Sequence, residues 1–428
     1  MSAFTIFFCG TGSNSYDFAH LNYIEGELIS TLARNHTGME FIDWIIVDGP
    51  GSGDYQEAEK WVPSGRYATW RGQLQGKGWE QNVQHAIAVL HAQTSEGRKE
   101  HTKEEIARLR SMGVGIQDDD YEISADLFDV DRRLKSKPSD SDFPLRPRIS
   151  PQELQKKKVE IFAKTQIISC INLVGWSRGG VTCIMCANAL AETRFSNVPV
   201  NIFACDPVPG LGQFDNNRVA LKNNVRNYVG IYARDERSRG FTPIVPTLAP
   251  ATNCYITTIP GRHATLVGNR HTSGGSEGMN TLQGPGKVTR DLAEKKLESW
   301  GTSLKSKLSL DDSAILKLYD EMLSQTAAYK EMHSKSYTGM SQKWSRAVVR
   351  GSSILSTSFS SVDALKEDPH FVNAHHRSTF RKKYPVYYSV IFDGAHMTPE
   401  QYWSMIVFLI NTYPSHAKYW SKLLSENR

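Results

Sequence analysis

The sequence predicts an α/β fold, a mostly parallel sheet with helices on both faces. Three observations predict it. Short apolar runs rich in β-formers recur along the chain, spans long enough for a helix separate them, and several runs end in glycine-rich turns of the kind found at the carboxyl ends of strands. At 428 residues the chain is long for one domain, yet single sheets with insertions reach that size. The organisation reads as an α/β unit over residues 1–300, interrupted by a charged insertion at 95–150. A mainly helical extension with one late strand then covers 301–428 and is expected to pack on the same domain.

Phe4 to Cys9 is a buried-strand pattern that runs into Gly10-Thr11-Gly12. Phe41 to Val47 repeats the unit and runs into Asp48-Gly49-Pro50-Gly51-Ser52-Gly53. After Gly78, Val83, Ala86, Ile87 and Leu90 fall at helical spacing and predict a crossover helix. Between about Ser95 and Ser150 the composition turns charged and turn-forming, which marks an insertion. Ser150-Pro151-Gln152-Glu153 is a capping box that starts a short helix to about Ala163. Three further strands are expected at Ile167 to Val174, Val198 to Cys205 and Tyr228 to Ala233, and a β-like run begins at Tyr255. Beyond Asn269 the pattern is mostly helical, with helices at Asp291 to Trp300 and Ser313 to Tyr329. A late strand at Pro385 to Phe392 precedes a final helix from Pro399 to about Thr412.

Charged residues make up 22% of the chain and apolar residues 39%, values that suit a protein with a sizeable core rather than a disordered one. Fifty Lys plus Arg against forty-five Asp plus Glu leave a net charge of +5, far from a nucleic-acid-binding signature. Five of the six cysteines sit in or beside apolar runs. Cys183 and Cys186 form a CxxC pair, but its position just after a glycine-rich turn suits a helix core better than a metal, so no metal and no cofactor are assigned. Residues 1–9 lack the features of a secretory signal, and no run of about 18 apolar residues occurs. The expectation is a protein soluble and cytoplasmic when made.

Ile167 to Val174, then Gly175-Trp176-Ser177-Arg178-Gly179-Gly180, then an apolar helical stretch, reads as strand, sharp turn and helix. Such an elbow exposes and orients a serine hydroxyl, an otherwise weak nucleophile, and the flanking glycines keep Cβ atoms out of the turn. Ser177 is therefore the candidate nucleophile of an α/β-hydrolase-type enzyme. Oxyanion donors are expected from Gly10, Thr11 and the amide of Arg178. The Gly10 loop lacks a P-loop lysine and GxGxxG spacing, which disfavours nucleotide binding. Two aspartates follow strands, Asp206 and Asp235. Asp235 stands among Arg234, Arg237 and Arg239, as a structural salt-bridge carboxylate would, so Asp206 is favoured as the acid. His263, on a loop between Gly261 and Gly268, and His396, between the late strand and the final helix, both qualify as the base, and spacing leaves that choice open.

Several segments also carry a family resemblance. FFCGTGSN, DGPGSG, GKGWEQNV, GWSRGG, CDPVPG, RDERSRGF and PGRHATLVG occur in the order of comparable motifs in the bacterial type VI secretion lipase effectors and their related uncharacterised α/β-hydrolase domain. The likeness spans residues 4 to about 270. It implies a triad of Ser177, Asp206 and His263, hydrolysis of glycerophospholipid esters, and export to a target cell without an ordinary signal. A secretion-system, host or immunity protein partner follows from the same likeness, whereas peripheral membrane contact is suggested by the net charge of +5 and by the charged insertion and the helices after Asn269. The chain departs from the family where Cys9 replaces an aspartate before the first Gly-Thr-Gly and where Ala264-Thr265 replaces Ser-Asp. A peptidase or amidase on the same scaffold, or a non-catalytic interaction protein with a hydrolase fold, are the alternatives.

Overall fold

In strand β1 (Ser2–Phe8) Phe4, Ile6 and Phe8 enter one buried cluster, while Phe7, with Cys9 beyond it, enters another. That period-two division is what a strand covered on both faces requires. The molecule is a computed structural model that describes residues 2–52, 78–92, 167–210, 215–271, 282–334, 345–351, 356–368, 370–393 and 395–414, with short pieces at 107–162 and residue 422. The insertion at 95–150 and the helix expected to about Ala163 lie largely outside the described residues. Within that region β3 (Tyr121–Ile123) and β4 (Leu145–Pro147) pair antiparallel.

The central sheet joins β1 to β2 (Trp44–Val47), β5 (Ile168–Trp176), β6 (Val200–Cys205), β7 (Val225–Ala233) and β9 (Asn253–Ile259). Its six strands are all parallel, in the order β2-β1-β5-β6-β7-β9. From β1 the chain steps outward to β2, then returns to the other side of β1 to lay down β5. That reversal opens a crevice at the carboxyl ends of β1 and β5, the place where ligands bind in open parallel sheets. The loop at Gly10 and the Ser177 elbow both leave the sheet there.

Helices α1 (Leu28–Arg34), α4 (Gly284–Ser299) and α5 (Asp312–Ser324) cover one face. Helices α2 (Trp79–Leu90) and α3 (Arg178–Leu190) cover the other and are tied together by the Trp79 Nε1–H bond to Thr182 Oγ1 at 2.5 Å. After α6 (Thr326–Met332), a small sheet sets β10 (Ala347–Arg350) between β8 (Ile244–Val245) and β11 (Ser356–Ser358). The chain ends in α7 (Ala374–Lys383), α8 (Pro385–Phe392) and α9 (Pro399–Thr412). Phe371, Phe380, Met405 and Leu409 from this last part share the buried cluster that holds Phe7 and Val174. Among the described residues no helix is long and apolar enough to cross a membrane.

Two expectations are corrected. Pro385 to Phe392 is helix α8, not a strand. Its Val, Tyr and Ile content mimics a β run, but Pro385 occupies the first helical position, where the missing N–H costs nothing. Helical spacing lets Tyr384, Tyr388 and Phe392 line up against Phe371 and Phe380. The second strand starts at Trp44 rather than Phe41, which has a φ of 66°. The small β8-β10-β11 sheet was not expected, and two of its strands, β10 and β11, fall in the extension read as mainly helical.

A polar ladder crosses the sheet. Asn201 Nδ2 donates to Asn172 Oδ1 at 2.8 Å, Asn227 Nδ2 donates to Asn201 Oδ1 at 2.6 Å, and Asn172 Nδ2 donates to Thr302 Oγ1 at 2.9 Å. Thr302 in turn meets Thr5 Oγ1 at 2.8 Å. Thr5, Asn172, Asn201 and Asn227 sit opposite one another in the strand register, so a slip of one residue breaks each asparagine rung between strands. Asn201→Ala strands a buried acceptor on Asn172 and a donor on Asn227, and equilibrium unfolding in urea should show a loss of about 2 kcal/mol.

Helix α1 begins on an unusual cap. Glu27 is fully buried and accepts from Ser30 N at 2.9 Å and from Ser30 Oγ at 3.1 Å. Burial pushes its carboxyl up to about 8, with Asp17 adding and the Ser30 bonds opposing. The folded state thus binds a proton that the unfolded chain releases from about pH 4.5, so stability from this group falls as pH rises from about 4.5 to about 8. Glu27→Gln is neutral throughout. Its melting temperature should equal the parent's at about pH 5 and exceed it by several degrees at about pH 8.5; an offset independent of pH contradicts a protonated Glu27.

Candidate active site

Ser177 is the residue between the last residue of β5 and the first of α3, with φ 57° and ψ −129°. For a residue with a side chain that is a strained conformation, and two surroundings impose it. Its N–H donates to Cys205 O at 3.0 Å and its carbonyl accepts from Val208 N at 3.2 Å, which clamps the elbow between β5 and the turn after β6. The flanking glycines are needed for space: a Cβ on Gly175 would strike the backbone of Gly179, and one on Gly179 would strike the carbonyls of Phe8 and Cys9.

Asp206, with φ 39°, ends the next strand and is fully buried. Its Oδ2 lies 2.7 Å from Nδ1 of His263, and its Oδ1 accepts from Ala233 N at 3.2 Å. Both oxygens also accept from Nη2 of Arg346 at 2.7 Å. Burial pushes the carboxyl up, but Arg346 and the bond from His263 more than reverse this, so it sits below its ordinary value and is ionised at neutral pH.

His263 opens a short 3₁₀ turn (His263–Val267) after β9 and is 2% exposed. Its ring lies against Trp176, with centroids 4.9 Å apart, and edge-on to Phe241 at 5.0 Å. Its backbone N–H donates to Glu236 Oε2 at 3.2 Å. With Nδ1 paired to Asp206, the free electron pair falls on Nε2, which is buried and has no hydrogen-bond partner among the described residues. A carboxylate-oriented imidazole with an unengaged Nε2 is chemically a general base.

The Gly10 loop is fixed from several sides. Gly12 N donates to Pro50 O at 3.0 Å, Ser13 N to Gly10 O at 3.0 Å, and Ser15 N to Asp48 Oδ1 at 2.7 Å. Gly10 packs on the Trp176 indole, where a Cβ would collide. The Arg178 guanidinium spans the crevice, donating to Thr11 Oγ1 at 3.2 Å and to Pro209 O at 3.3 Å. Burial brings it down to about 10, and it stays charged at neutral pH. The Arg178 amide is the first of the helix N-terminus, where N–H groups lack intrahelical acceptors. Gly10, Thr11 and Arg178 thus surround the mouth of the elbow.

The alternative residues lie elsewhere. Asp235 accepts from Gly261 N at 2.7 Å and pairs with His333 Nε2 at 2.7 Å and with Arg234, the salt-bridge setting expected of it. His396 is exposed in the connection between α8 and α9, and the strand thought to deliver it is a helix. Arg346 is the residue that the sequence reading missed. It stands at the head of a four-residue strand 140 positions from Asp206, and only the short apolar run Ala347-Val348-Val349 hinted at order there. Among the described residues no group of His, Cys, Asp or Glu could hold a metal ion.

Strain at Ser177 is measurable. Glycine accepts the elbow conformation freely, whereas alanine keeps the strain, so Ser177→Gly should be more stable than Ser177→Ala by about 1 kcal/mol, even after glycine's greater unfolded-state entropy. A less stable glycine variant in denaturant unfolding counts against a strained elbow.

No family model matches the chain, and no curated protein matches it. Among solved structures it is similar to an uncharacterized protein from Pseudomonas aeruginosa, at 13% identity and a TM-score of 0.41, over 75% of this chain and 53% of that one. It is also similar to the Tle1 effector bound to the VgrG spike from the Type 6 secretion system, at 12% identity and a TM-score of 0.28, over 63% of this chain and 51% of that one. The chain spans about half the length of these two solved chains, and at such values neither likeness carries an argument about chemistry.

Proposed function

We propose that the protein is a serine hydrolase that cleaves acyl esters through Ser177, Asp206 and His263. The observation that carries this reading is the 2.7 Å Asp206–His263 pair, whose imidazole packs on Trp176, the residue before the strained strand-to-helix Ser177, with Nε2 of the histidine buried and unengaged. In the first half-reaction Ser177 Oγ attacks the acyl carbonyl as His263 Nε2 takes its proton, and Asp206 stabilises the imidazolium. The Arg178 amide and the Gly10 loop stabilise the oxyanion. The C–O bond to the leaving alcohol then breaks as His263 returns the proton to that oxygen, leaving an acyl-enzyme. Water adds by the same route and releases the carboxylic acid.

The finer assignment to phospholipid esters of the phospholipase A kind rests on the order of motifs that resembles the lipase effectors. By the same resemblance, a secretion-system protein and an immunity protein are the proposed partners, and a target cell is the proposed destination. The net charge of +5 suits approach to an anionic lipid surface.

The test is incubation of the purified protein with vesicles of phosphatidylethanolamine and phosphatidylglycerol, with products identified by mass. Lysophospholipid and free fatty acid are expected, and Ser177→Ala should lower their formation by several orders of magnitude, on the order of 10⁶-fold where a triad acts as a unit. Release of diacylglycerol or phosphatidic acid, or an undiminished Ser177→Ala variant, contradicts the reading. Amide cleavage without fatty-acid release points to the peptidase alternative.

A further inference from the structure

Against the Asp206 carboxylate lies a buried charge with no part in the three-residue scheme. Arg346 is 5% exposed, and its Nη2 donates to both carboxylate oxygens at 2.7 Å. The Phe359 ring lies 5.8 Å from its guanidinium carbon. Its position is set by a scaffold attached to the acid's own turn. Ile244 N, in β8, donates to Pro207 O at 2.8 Å, and β10, which Arg346 immediately precedes, runs parallel to β8 with Val349 opposite Ile244. The strand that delivers the arginine is therefore fastened one residue from the aspartate it serves.

We propose that Arg346 is a positioning residue of the hydrolase. Together with the Ala233 N–H, it fixes the Asp206 carboxylate in the orientation in which Oδ2 accepts from His263. The inference rests on the serine-hydrolase reading above. A carboxylate held by one donor turns about its Cβ–Cγ bond; held by Ala233, Arg346 and His263 together, it has one orientation. The neighbouring charges do not replace the arginine. Glu236 is paired with Arg262 at 3.5 Å, Asp235 with His333 and Arg234, and Arg237 donates to the carbonyls of Arg234 and Glu236. Without the guanidinium, burial is left less opposed and the Asp206 carboxyl keeps its proton to higher pH. A protonated Asp206 stabilises an imidazolium poorly, so the acid limb of the rate profile moves upward.

The experiment compares kcat and KM for 4-nitrophenyl butyrate across pH in the parent and in Arg346→Met, Arg346→Gln and Arg346→Lys, with folding checked by circular dichroism. In folded neutral variants kcat should fall about 100-fold with KM little changed. Their acid limb should move up by about one pH unit. Arg346→Lys keeps the charge on a shorter arm and should fall between parent and neutral variants. A folded neutral variant with the parental kcat and acid limb overturns the proposal, as does a lysine variant no better than methionine. If neither neutral variant folds, Arg346→Lys decides: a lowered kcat with a raised acid limb supports the proposal, and parental behaviour overturns it. A parent that neither hydrolyses the ester nor reacts with a fluorophosphonate at Ser177 signals failure of the hydrolase reading itself; an active parent with indifferent variants signals failure of this inference alone.

Discussion

The structure turns on one ionised carboxylate that has no access to water. Asp206 is fully buried, and a bare carboxylate in that position carries a desolvation penalty of several kcal/mol. Its charge persists because donors arrive from three separate places: the end of β7 at Ala233, the turn after β9 at His263, and the head of β10 at Arg346. Each donor must be positioned to within a few tenths of an ångström, so the carboxylate constrains how the end of the central sheet, the 3₁₀ turn and the small sheet fit together. Losing one partner leaves a buried charge exposed to that penalty, which binds residues far apart in sequence into a single requirement.

The parallel sheet supplies the rest of the geometry. Because the strand order reverses between β1 and β5, the loop after β1 and the elbow after β5 are neighbours at the same edge, and Asp206 follows on the adjacent strand. The asparagine ladder near the opposite edge holds those strands in register, so the carboxyl ends meet where they do. Two strained residues meet at that edge. Ser177 and Asp206 both have positive φ, and the close passage of Gly179 under Phe8 and Cys9 leaves the elbow no relaxed alternative.

Much of this is legible in the sequence because it depends on local pattern. The strands of the central sheet carry apolar runs that end in glycine or aspartate, and the elbow at Ser177 shows as strand, tight turn and helix. What local pattern cannot decide is which of two similar residues faces inward. Asp206 and Asp235 both follow strands, and His263 and His396 both sit in turns; the pairing of Asp206 with His263 is a matter of side-chain direction across 57 residues. The motif resemblance implies that pair, and in the structure His263 Nδ1 lies 2.7 Å from Asp206 Oδ2. Pro385 to Phe392 was misread because β-branched and aromatic residues suit a strand as well as an amphipathic helix, and packing against Phe371 and Phe380 decided between them. Arg346 was out of reach for a related reason: an arginine before a short apolar run looks like any solvated charge until the fold brings it to Asp206.

Active-site labelling tests the central claim most directly. Treatment with a fluorophosphonate followed by peptide mapping should give a single adduct on Ser177 in the parent, strongly slowed in His263→Gln and in Asp206→Asn. An adduct on another residue, or labelling of Ser177 at the parental rate in both variants, contradicts a nucleophile activated by the Asp206–His263 pair.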